Sequence, residues 1–297
     1  MKKPALLTQS NAQERILTLP NGQISYLEWN WGKEPLLLLH GMADHGLVWA
    51  KLGEFLQNRY HILAPDLRGH GNSCKPLTGY GCGDIIADLQ ALMVEHRWSS
   101  THVVAHSWSA KVALVWARQH PEAIRSLVLI DPFFINRIPL WLKPTFPFLY
   151  RTLPFLKTMG PFATYDQAEE QARPLKQYRG WNEWQQVIFA ESMEQKPDGQ
   201  WGSKFVIQAR DEIFADVMEA AGLTTPLTVP TLLIQPQRGL NRTRWQLNPY
   251  HTYLQNLQIV QVPGHHWCFI VEPDACNQTI ATFLDSQVSD AQVSAQD

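Results

Sequence analysis

Short unbroken apolar runs recur along the chain: Pro35–Leu39 (PLLLL), His61–Ala64 (HILA), His102–Ala105 (HVVA), Ser126–Ile130 (SLVLI) and Thr231–Ile234 (TLLI), with a weaker one at Ile259–Val262 (IVQV). A strand wetted on one face alternates apolar and polar residues. Runs without alternation suit strands covered on both faces, the signature of a parallel sheet. Ahead of them, Arg15–Leu19 and Ile24–Glu28 flank Asn21-Gly22, a dipeptide that predicts a hairpin. Helical stretches lie between the runs. Asp84–Met93 places apolar residues at helical spacing with Asp84 as its expected N-cap, and Trp108–Gln119 reads as a helix stopped by His120-Pro121. This alternation predicts right-handed βαβ units and an α/β fold, with a mostly parallel central sheet flanked by helices and functional groups at the strands' carboxyl ends.

One block breaks the pattern. From Pro132 to about Pro226 no strand signal is present, and Pro132, Pro139, Pro144, Pro147, Pro154 and Pro161 punctuate an aromatic-rich stretch. Phe133, Phe134, Trp141, Phe146, Phe148, Tyr150, Phe155 and Phe162 lie in it, and the part after Asp166 looks helical. The expected organisation is a core of residues 1–131 and 227–285, a helical cap inserted at 132–226, and a flexible polar tail at 286–297. The plainer alternative for the aromatic block is a second packing layer with no role in binding.

Composition narrows the function classes. The 297 residues carry 25 Lys+Arg against 27 Asp+Glu, a balance that leaves no basic footprint for nucleic acid. The four cysteines form no CxxC or CxxH pair, so no metal site is expected, and they read as free thiols of a reducing compartment. The apolar stretch after Lys2-Lys3 is too short for a signal peptide, and no window approaches the ~20 apolar residues of a membrane span. A soluble cytoplasmic protein without a cofactor is expected. Its oligomeric state is not legible.

The segment Val103–Lys111 (VVAHSWSAK) follows an apolar run and precedes a helix, the context that a nucleophile elbow requires. A serine on a tight strand-to-helix turn projects its hydroxyl into a cleft, and the helix N-terminus offers N–H groups to developing negative charge. The positions two before and two after Ser107 hold Ala105 and Ser109, where the usual pattern has glycine at both. Alone, the segment fits an elbow or an ordinary strand–helix junction equally.

Further motifs stand at matching places. His40-Gly41 ends an apolar run, with Trp49 eight residues after Gly41, and Asp66–Ser73 (DLRGHGNS) follows the next run. With AHSWS and a late histidine, the chain resembles the α/β-hydrolase family, in the branch of small soluble serine hydrolases with a helical cap, over roughly residues 15–285. The resemblance implies roles by position. Ser107 would be the nucleophile, and the backbone N–H groups of Met42 and Trp108 would form the oxyanion hole. His40, Asp66, Gly69, Gly71 and Ser73 would shape loops, His106 would point elsewhere on the turn, and Trp49 and Trp116 would be core or pocket wall. Counting back from Pro273 makes His266 the base in preference to His265, the alternative, which falls where a glycine usually stands.

The orienting acid departs from the usual pattern. Its ordinary place, after Thr231–Ile234, reads QPQRGLNRTR, and no Asp or Glu occurs between Thr231 and His266. Asp131 closes the preceding run, and some relatives draw their acid from that strand end. Asp131-Pro132 also suits a simple turn opener, and Asn241 could orient the histidine without charge. Arg238, Arg242 and Arg244 form either a solvated loop or a site for a substrate carboxylate or phosphate.

The expected reaction is acyl transfer to water through a Ser107–His266–Asp131 triad, with an apolar small-molecule ester as substrate and Trp108, Phe133 and Phe134 in its binding wall. Thioester cleavage, carbon–carbon bond hydrolysis and cofactor-free peroxidation can use the same serine and histidine. A protein that kept the fold and lost the chemistry is the rival from another class. Contact of Phe146–Phe162 with a membrane surface is the less favoured alternative for the aromatic block, and no membrane partner is expected.

Overall fold

The computed structural model describes residues 11–30, 32–137, 140–145, 148 and 152–294. An eight-stranded sheet runs in the order β1-β2-β4-β3-β5-β6-β9-β10. β1 (Gln13–Leu19) and β2 (Gly22–Asn30) form the expected hairpin. Its turn is Pro20-Asn21, one residue earlier than expected, because Gly22 already pairs with Leu19. Every apolar run became a strand: β3 (Glu34–Leu39), β4 (Tyr60–Pro65), β5 (Thr101–His106), β6 (Ile124–Ile130), β9 (Thr231–Arg238) and β10 (Leu257–His265). These six pair in parallel, and β2 joins β4 antiparallel.

The runs lack alternation because both faces are covered. Leu37, Leu39, Val103, Ala105, Leu127 and Leu129 face one apolar layer, with helices α2 (Cys82–Glu95) and α3 (Trp108–Gln119). Leu36, Leu38, Val104, Val128 and Ile130 face the other, with α1 (Ala50–Leu56) and the helix Pro273–Ser294. Trp116 belongs to the first layer, and Trp49, stacked on Phe269 with ring centroids 4.4 Å apart, to the second. Both are core. The N-cap of α2 is Gly81, which leaves Asp84 inside the first turn, where its charge complements the helix dipole.

The chain between β6 and β9 forms short helical pieces, including Tyr165–Ala172 and Glu183–Ser192, started by the side chains of Thr164 and Asn182. It also holds a small hairpin, β7 (Met193–Gln195) with β8 (Trp201–Ser203), where no strand was expected. Its strands are too short to show a pattern, and Gly199, at φ 83°, makes the turn. The helix Ile207–Glu219 packs on the sheet's helical layer: Ile213, Phe214 and Val217 join the first apolar layer, and the buried Lys111 ammonium donates to the Val217 carbonyl.

The tail expected to fray is helical through Ser294. No glycine or proline interrupts 286–294, and Val288 packs against the second apolar layer. Among the described residues no helix is long and apolar enough to cross a membrane.

Candidate active site

β3, β5, β6 and β9 end side by side at one edge of the sheet, on either side of the point where strand order reverses. An open parallel sheet forms a crevice there. Each strand end contributes: His40-Gly41 follows β3, Ser107 follows β5, Asp131 follows β6 and the loop 239–241 follows β9.

Ser107 sits at φ 59°, ψ −119° between β5 and α3, a region that costs a non-glycine residue about 1–3 kcal/mol and persists only where the surroundings enforce it. They do so from both sides. Its N–H donates to the Ile130 carbonyl at 3.0 Å, and its carbonyl accepts from the Phe133 N–H at 3.1 Å. The departures from glycine are accommodated. Ala105 lies within the β3–β5–β6 ladder, and the buried Ser109 hydroxyl donates to the carbonyls of Leu39 and His106 and accepts from the His106 N–H.

Ser107 and His266 are 159 positions apart in sequence, yet Ser107 Oγ stands 3.0 Å from His266 Nε2, and His266 Nδ1 stands 2.7 Å from Asp131 Oδ2. The carboxylate fixes the tautomer: Nδ1–H donates to Asp131, so Nε2 offers its lone pair to the serine hydroxyl. Asp131 is fully buried. Burial alone would raise its pKa, but the hydrogen bond and charge of His266, the Leu240 N–H and the Asn241 amide outweigh it and hold the carboxyl below its ordinary value. Leu240 N donates to both carboxylate oxygens at 2.9 Å, and Asn241 Nδ2 donates to Oδ1 at 3.1 Å and to the Pro132 carbonyl at 2.7 Å. Asn241 therefore holds Asp131 and makes no bond to the histidine.

The other predicted residues divide. Met42 and Trp108, whose N–H groups are the candidate oxyanion donors, line a cavity of about 430 Å³ together with Ser107, His266 and Phe133. From the segment between β6 and β9, Phe155 reaches the same space. Phe134 does not line it. It sits at φ 40°, and its half-exposed ring rests edge-on against Phe133. Phe146 and Tyr150 lie outside the described residues. His40 bonds the Gly41 carbonyl and accepts from the Leu67 N–H, and Asp66 accepts from the Gly46 and Asn72 N–H groups, so both brace loops. Arg238 lines the cavity, whereas Arg242 and Arg244 are exposed elsewhere.

His106 does not point elsewhere on the turn. Its ring lies 4.5 Å from that of His266, and Nε2–H donates to the His266 carbonyl at 2.9 Å. Burial holds its pKa well below the ordinary value, so Nδ1 is an unprotonated acceptor. Facing it at 3.7 Å is Asp44 Oδ2, which accepts from Trp267 Nε1 at 3.3 Å. Burial raises the Asp44 carboxyl to about 7, and a protonated carboxyl is the form that complements the His106 lone pair. Asp44 lines the cavity. Its sequence position, two residues past Met42, was the signal available.

Among the described residues, Glu28, His61 and His96 form the one group with metal-ligating spacing, their ligand atoms within 4.8 Å. Both Glu28 oxygens are already engaged, by His61 Nε2 at 2.8 Å and Arg15 Nε at 3.1 Å, so the group is an internal ion-pair cluster.

Comparison with known proteins agrees with this architecture. Against lipase 3 of Moraxella sp. (strain TA144) the chain is 34% identical over 132 residues, covering 42% of this chain and 40% of that protein. Against a serine hydrolase-like protein of Danio rerio it is 23% identical over 298 residues, covering 94% and 90%. The structure of an E-2-(acetamidomethylene)succinate hydrolase matches with a TM-score of 0.78 at 21% identity, over 93% of this chain and all (100%) of that one, which speaks to fold alone. A family model described as the alpha/beta hydrolase fold matches residues 34–273, and the chain belongs to that hydrolase family.

Proposed function

We propose that the chain is a serine hydrolase that cleaves an ester or related acyl bond of an apolar small molecule through an acyl-enzyme on Ser107. The observation that carries this reading is the hydrogen-bonded line from Asp131 through His266 to Ser107, which ends in a cavity walled by Trp108, Phe133 and Phe155.

Asp131 keeps the proton on His266 Nδ1, so Nε2 takes the Ser107 proton as Oγ attacks the acyl carbon. The carbonyl oxygen, now negative, collects the N–H groups of Met42 and Trp108, the latter at the N-terminus of α3. The imidazolium, stabilised by Asp131, hands its proton to the leaving alcohol. A water then repeats the sequence and frees the acid. Dehalogenation and epoxide opening on this fold proceed through an ester on a carboxylate nucleophile, which a serine at position 107 cannot form. Residence in the cytoplasm belongs to the same reading, supported by four cysteines that form no disulfide.

Hydrolysis of 4-nitrophenyl butyrate tests it. The protein turns the ester over, and Ser107→Ala lowers kcat by about 10⁴-fold or more. A folded wild-type protein inert to short nitrophenyl esters would instead indicate a binding protein on a hydrolase scaffold.

A further inference from the structure

We propose that the substrate, apolar in the part that fills the Ser107 cavity, also carries an anionic group, a carboxylate or a phosphate, held at the cavity's rim by Lys176 and Arg238; this rests on the hydrolase reading and narrows its substrate class. Both side chains line the cavity, and they come to it from separate elements. Lys176 opens the short turn Lys176–Tyr178 of the segment between β6 and β9. Arg238 ends β9, where its Cα pairs with that of His265 across the β9–β10 ladder. The residues just after Arg238 close on Asp131 through the Leu240 and Asn241 N–H groups. The guanidinium is thus hung from a backbone fixed at both ends.

Little negative charge answers these cations. The carboxylate nearest Arg238 is Glu272 at 4.0 Å, with side chains 58% and 41% exposed, a spacing and exposure at which an ion pair contributes little. Among the described residues Lys176 has no carboxylate partner. Among the described residues, the one acid lining the cavity, Asp44, is pushed toward its neutral form by burial. Burial lowers the His265 pKa to about 4, and the charges of Lys176 and Arg238 lower it further. Apolar walls with a cationic rim fit an amphiphile whose chain enters and whose charge stays outside. A planar guanidinium pairs bidentately with carboxylate or phosphate oxygens, and the ammonium adds a point charge.

Calorimetric titration of the intact protein with octanoate, octyl phosphate and 1-octanol tests this. At low salt at least one anion binds about tenfold tighter than the alcohol, and which anion binds tighter identifies the headgroup. The advantage fades at 1 M salt and is lost in Lys176→Gln/Arg238→Gln, whose thermal midpoint stays unchanged because both side chains are exposed. Equal binding of all three ligands, or an advantage that survives in the double variant, overturns the proposal. Fluorophosphonate labelling of Ser107, run in parallel, separates the two readings. Labelling without anion preference overturns the substrate class alone, and anion preference without labelling overturns the hydrolase reading alone.

Discussion

A Cβ placed on Gly239 would stand 2.8 Å from both carboxylate oxygens of Asp131. The bare backbone at 239 is what lets the following N–H groups of Leu240 and Asn241 close on that carboxylate. Gly239→Ala is therefore expected to displace the loop, lower stability by about 1–3 kcal/mol as overpacking does, and lower ester turnover at least tenfold. Urea unfolding and kcat on one short ester check both. An alanine variant with wild-type turnover would mean that the loop does not position the acid.

Asp131→Asn separates positioning from charge. The amide can still accept from Leu240, so the fold should hold. Its NH₂ group, however, turned toward His266, would favour the tautomer protonated on Nε2, which cannot accept the Ser107 proton. Turnover should fall about 10³–10⁴-fold with little change in thermal midpoint. Near-normal rates would make Asp131 a turn residue only.

Asp44 gives a pH signature. Its folded pKa, raised by burial to about 7 from the model-peptide value of 3.8, means that the folded state holds the proton more tightly than the unfolded chain. The stability this confers is complete below the unfolded value and is lost as pH rises through the folded one. Asp44→Asn lacks that loss. Relative to wild type, the variant should gain about 2–3 kcal/mol between pH 5 and pH 8, read by urea unfolding at each pH. Parallel stability curves would show that Asp44 is ionised in the fold.

Much of this was legible in the chain itself. Strands covered on both faces leave unbroken apolar runs, so the central sheet could be read directly, and the motif positions marked Ser107 and His266. The absence of any acid between Thr231 and His266 pointed back to Asp131. Other features depend on partners far away in sequence. The Leu240–Asp131 contact spans 109 positions, and neither end carries a local pattern. His106 gave no sign that it would hold the His266 carbonyl, because that contact needs the two loops to meet. Phe134 has a left-handed backbone and is not among the residues lining the cavity, neither of which a run of aromatic residues foretells. The β7–β8 hairpin, with three residues per strand, is too brief for periodicity to register.

The central claim is that His266 makes the Ser107 hydroxyl nucleophilic, and labelling by a fluorophosphonate followed by peptide mapping tests it most directly. The adduct should sit on Ser107 and form about 10³-fold more slowly in His266→Ala. A folded wild-type protein that stays unlabelled, or a His266→Ala variant that labels at the wild-type rate, would contradict it.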